Sequence, residues 1–134
     1  MSGEKRQFMM DKTGKEVKNY KSLLVWKKSM ELVKKVYELT NTFPEIEKFG
    51  LFYQTRRSAI SIPSNIAEGQ ARNSTKEFIR FLSVAKGSLA ELDTQIILAK
   101  ELNYICHEHY ECVQVKIDEL QRMFYNLIKK LGSI

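Results

Sequence analysis

"SAISIPSNIAEG", Ser58 to Gly69, is the stretch whose reading decides the fold. It carries a proline in mid-run, several small hydroxyl or amide residues and a closing glycine. Such a run suits either a phosphate-cradling loop or a bent helix. On a wheel of about 100° per residue, Phe52, Thr55, Ala59, Ile62 and Ile66 fall on one arc, the mark of a helix buried on one side. A second helix from about Glu47 to Glu68 is therefore expected. Pro63 cannot donate to the Ala59 carbonyl and its ring displaces that carbonyl, so a kink is expected there. Gly69 is expected to supply a left-handed cap.

The neighbouring stretches keep the same period. Trp26, Met30, Val33, Tyr37 and Thr40 form one stripe of a first helix that starts at Leu24. Val25, Leu32, Val36, Leu39 and Phe43 form a second stripe beside it. Phe43-Pro44 ends the helix, because a residue before proline avoids the α region. Ser74 and Glu77 fit a capping box that opens a third helix. Phe78, Leu82, Ala85, Leu89, Leu92, Ile96 and Ala99 carry it to about Leu102. Tyr110, Val113, Ile117, Leu120, Phe124, Leu127 and Leu131 mark a fourth, from about His109, with Gly132 as its stop. No segment alternates with the period of a strand. Short connections and a seven-residue beat predict an all-α, antiparallel up-down-up-down four-helix bundle. Residues 1–20 are expected to be a flexible basic tail and residues 21–134 the bundle.

Composition agrees with this. With only 6 glycines and 2 prolines in 134 residues, long helices are favoured over a turn-rich fold. No apolar run reaches the length that crosses a bilayer, and the first residues lack the apolar core of a secretory signal. A cytoplasmic protein is the expectation. Cys106 and Cys112 match neither a redox pair nor a zinc knuckle, and read as free thiols.

Catalytic patterns are missing. The only histidines, His107 and His109, are two apart at a helix start and face different directions, so no metal centre is expected. No Glu-x-x-His pair serves a di-metal bundle site. No arginine precedes a histidine at the spacing of a helical ribonuclease, and no glycine-rich phosphate loop is present. Neither catalytic residues nor a cofactor are expected.

The net charge of +6 permits contact with nucleic acid without requiring it. Arg56, Arg57, Arg72, Lys76 and Arg80 are the candidate phosphate contacts. Lys76 stands in the first turn of its helix, where the helix dipole disfavours a cation. On the second helix Ile60, Pro63 and Ala67 make a small apolar arc beside the core arc. That arc, and the second stripe of the first helix, suit a neighbouring subunit.

The central block is Gln54, Arg56-Arg57, Ser61 to Gly69, Lys76-Glu77-Phe78 and the "GSLAEL" of Gly87 to Leu92. With it the chain resembles the 23S rRNA-intervening sequence proteins from about Tyr20 to Leu131. That family is related to the accessory variability proteins of diversity-generating retroelements. The resemblance implies a bacterial four-helix bundle, a homopentamer, RNA or DNA as a partner, and a protein partner such as a reverse transcriptase. It supplies no catalytic residues. One departure stands out: 16 acids oppose 22 bases, so a local basic patch is expected rather than a basic surface throughout.

Overall fold

A computed structural model describes residues 19–133; the predicted tail lies almost wholly outside them. Four long helices follow one another: α1 (Leu24–Thr40), α2 (Leu51–Ala71), α3 (Thr75–Glu101) and α4 (His107–Gly132). Among the described residues there is no strand. Each helix packs on the next, and α4 packs back on α1. The Ser61–Ser88 contact and the Gly69–Phe81 approach run in opposite directions along α2 and α3. The Asp93–Gln114 and Lys100–Tyr110 contacts do the same along α3 and α4.

One core joins all four helices. Leu32 and Val36 of α1, Ile62 and Ile66 of α2, Leu89 and Ile96 of α3, and Ile117 and Phe124 of α4 are fully buried in it. The second stripe of α1, expected to suit a neighbouring subunit, is this core. Val25, Leu32, Val36 and Leu39 are buried, while Trp26 and Val33 of the other stripe pack at its edge. Spacing shows that two stripes exist, but not which of them the other helices cover.

Three ends differ from expectation. The α1 ladder gives way after Thr40 to tighter i→i+3 bonds, from the N–H groups of Asn41, Thr42 and Phe43, before Pro44 turns the chain extended. A 3-10 turn, Glu45–Glu47, then precedes α2, and the Glu47 carboxylate accepts from the Leu51 N–H at 3.0 Å. At the far end Gly69 is no cap. It lies inside α2, buried, and the left-handed residue of the turn is Asn73, with φ 56°.

Gly69 is needed because the helices touch there. A Cβ at this position would lie 2.5 Å from the Phe81 Cβ and 3.2 Å from Phe78 Cδ1. Pro63 sits within an unbroken α2 and is buried inside the protomer. Beside it Asn65 Nδ2 donates to the Ser61 carbonyl at 2.8 Å, and the Ser61 hydroxyl bonds that of Ser88. Ser61 and Asn65 of the opening stretch thus stand at the seam between α2 and α3.

Candidate nucleic-acid interface

The five predicted cations fall into two groups. Arg72, Lys76 and Arg80 gather where α2 ends and α3 begins. Arg56 and Arg57 lie about 22 Å back along α2, at 1.5 Å per residue.

Around the turn, Ser74 starts α3 by accepting from the Glu77 N–H at 3.3 Å, the first half of the expected capping box. The Glu77 carboxylate does different work. Arg80 Nε donates to Oε2 at 2.8 Å and a second guanidinium nitrogen to Oε1 at 3.3 Å. Those bonds, with the charges of Arg80, Arg72 and Lys76, hold the Glu77 carboxyl below its ordinary pKa. The same bond and charge raise that of Arg80, and Glu68 adds to the effect. Arg72 pairs with Glu68 at 2.8 Å. Both guanidinium groups lie over the buried Phe81 ring, at 5.2 Å for Arg72 and 4.4 Å for Arg80.

This end of the protein is therefore one electrostatic unit. Arg72 and Arg80 lie over an aromatic ring, Glu68, Glu77 and Lys76 stand beside them, and one positive charge remains. Lys76, exposed, makes no hydrogen bond or ion pair with another described residue. Each guanidinium is already oriented by a carboxylate, and a phosphate can take that carboxylate's place, since both accept a planar fork of N–H donors. Phe81 is the member that sequence reasoning missed. Its place four residues after Glu77 puts both on one side of α3, and that spacing was the available signal.

Arg56 is held inside the fold. Its Nε donates to Thr40 Oγ1 at 2.8 Å, and a terminal nitrogen donates to the Tyr37 carbonyl at 3.1 Å and Asn41 Oδ1 at 3.0 Å. The Tyr37 and Phe52 rings stand 4.1 and 4.2 Å from its central carbon. It fastens α2 to the end of α1. Arg57, next in sequence, is exposed and has no such partner among the described residues. Of the predicted subunit contacts, Ile60 is exposed, Ala67 half-buried and Pro63 buried.

The other end of α3 is different. An open cavity of about 510 Å³ lies beside Thr42, Lys100, Asn103, His107 and His109, and none of the five cations lines it. His107 Nε2 is 3.8 Å from Glu111, and both histidines are exposed. Among the described residues, no group of three or more His, Cys, Asp or Glu could hold a metal ion. No described helix is long and apolar enough to cross a membrane.

An all-helical protein with four long helices around one core, and a compact charged cluster at a helix turn, is the class this structure defines. Residues 21–126 match the 23S rRNA-intervening sequence protein family, and the chain belongs to that family. A similar solved structure is a crystal structure from Bacteroides thetaiotaomicron VPI-5482, described as a protein with unknown function from the S23 ribosomal protein family. It shares 28% identity with this chain at a TM-score of 0.73, and the match covers 79% of this chain and 99% of that one. No curated protein matches the sequence.

Proposed function

We propose that this protein is a non-enzymatic, cytoplasmic, homo-oligomeric scaffold that holds RNA by its phosphates. Its helices form an antiparallel up-down-up-down bundle, and the resemblance noted from the sequence implies five copies. Arg72, Lys76 and Arg80 make the phosphate contacts. Arg56 stays inside the fold and positions α2.

The observation that carries this reading is the cluster itself. Three cations from two helices converge on one turn, and Lys76 stands in the first turn of α3 with no ion pair to a described residue. A cation kept where the helix dipole opposes it is explained by an anion that binds there. Contacts of this kind read charge and not sequence.

Filter binding with ribosomal RNA fragments tests it. Retention should fall steeply as salt rises, and the R72A/K76A/R80A variant should lower the salt slope by about one for each cation removed. No retention at low salt ends the proposal. A second reading has an observation in its favour: Arg72 and Arg80 are already paired with Glu68 and Glu77. On that reading the cluster serves protein contacts alone. The variant then changes assembly, and no RNA is retained by either form.

A further inference from the structure

The outer surface of α2 and α3 keeps several large apolar side chains about half exposed. Tyr53 and Ile60 on α2 are 51% and 43% exposed; Val84 and Leu98 on α3 are 45% and 43% exposed. Among them stand one cation and one anion, Arg57 and Glu91. Both are exposed, and neither makes a hydrogen bond or ion pair with a described residue. The two charges cancel, so this face offers nothing to a polyanion. An apolar surface with one unpaired charge of each sign fits a protein surface carrying the same features.

The register of the two helices identifies that surface. The Ser61–Ser88 contact fixes their relative height. Arg57 and Glu91 lie four and three residues from it toward the same end, about 6 and 4.5 Å along the helices. Ser64 and Val84 lie three and four residues toward the other end. Tyr53 and Leu98 stand further out beyond the charges, about 12 and 15 Å from the contact. At each height α2 carries the complement of α3: cation against anion, small against bulky, aromatic against aliphatic. Within one protomer Arg57 and Glu91 do not pair. Rotating a copy about an axis parallel to the helices leaves every residue at its own height. Such a rotation brings α2 of one copy against α3 of the next with all three pairs in register.

We infer that α2 of one copy packs against α3 of a second copy in this register, with Arg57 in an ion pair with Glu91 of the partner subunit. The inference rests on the homo-oligomeric part of the proposed function and is independent of RNA. It moves Arg57 from the phosphate contacts to the subunit contact, and keeps Ile60 there while releasing the buried Pro63.

The test is the solution mass of the full chain, measured without RNA by sedimentation velocity, with far-ultraviolet circular dichroism to confirm that each variant stays helical. The wild-type chain sediments as an assembly. R57E and E91R each place like charges together and weaken association at least tenfold. R57E/E91R restores the pair and recovers the assembly. A monomeric wild type, single variants that assemble as the wild type does, or a double variant that fails to recover would each overturn the inference. Recovery by the double variant in a protein that retains no RNA would leave the inference standing and remove only the RNA reading.

Discussion

The α2–α3 seam and the α1–α4 seam hold the same kind of helix pair together in opposite ways. Along the first, small residues let the backbones close: Gly69 against Phe81, Ser61 against Ser88. Along the second, long side chains span the rim, as where Lys28 Nζ stands 3.3 Å from the Glu119 carboxylate. A seam of small residues has no slack, because added atoms meet backbone or fully packed rings. A seam bridged by flexible side chains can readjust. The difference predicts where the fold is intolerant of change.

The largest effect is expected at Gly69. Glycine to alanine inside a helix ordinarily stabilises by about 0.5–1 kcal/mol. At Gly69 the sign should reverse, with G69A losing about 1–3 kcal/mol in urea unfolding, since the new methyl overlaps Phe81. G87A is the control on the same pair of helices. Within the protomer nothing lies within 4 Å of a Cβ at Gly87, so in an R57E background, where copies stay apart, G87A should gain the ordinary amount. Equal effects at both sites would erase the contrast between a closed seam and an open face.

Arg56 comes next. R56A removes three hydrogen bonds and two ring contacts from a half-buried group, and should cost about 1–3 kcal/mol by thermal or urea unfolding. R56K should recover only part of this, because an ammonium keeps the charge and loses the fork. Full recovery would show that charge alone matters at this position.

A pH effect belongs to the α1–α2 turn. Glu47 accepts from the Leu51 N–H and from the Tyr104 hydroxyl at 2.8 Å, which lowers its carboxyl below the ordinary value. A carboxyl lowered by folding contributes stability that is complete above its unfolded pKa and is lost as pH falls through the folded one. Y104F should therefore lose less stability on acidification than the wild type. Parallel acid curves for the two proteins would contradict this. The smallest effect is expected at Lys28. It is partly exposed and bridges to Glu119 across the rim, so K28A should change stability by about 0–1 kcal/mol and less at high salt.

The comparison also explains what the sequence could convey. The heptads of α3 and α4 were legible because Phe78 to Ala99 and Val113 to Leu131 repeat at one spacing, and most of those positions are buried. Gly69 was misread as a cap. Local sequence offers two uses for a glycine after a helical run, and only Phe81, twelve residues on, decides between them. Arg56 and Arg57 look alike on paper. One is gripped by Tyr37, Thr40 and Asn41, and the other is unpartnered among the described residues, because the end of α1 lies beside one position and not the next. Of the site, Arg72, Lys76 and Arg80 were legible as cations near one turn. That all three act on Glu77, that Arg72 and Arg80 share Phe81, and that Arg57 lies far from them, depends on how α2 meets α3.

The central claim is that α2 and α3 divide two tasks, phosphate contact at the turn and self-association along the outer face. Co-sedimentation of labelled RNA with the R72A/K76A/R80A protein tests it most directly. The account predicts that the protein keeps the wild-type assembly while the RNA sediments alone. RNA that still travels with the variant as it does with the wild type, or an assembly that falls apart when those three cations are removed, would contradict it.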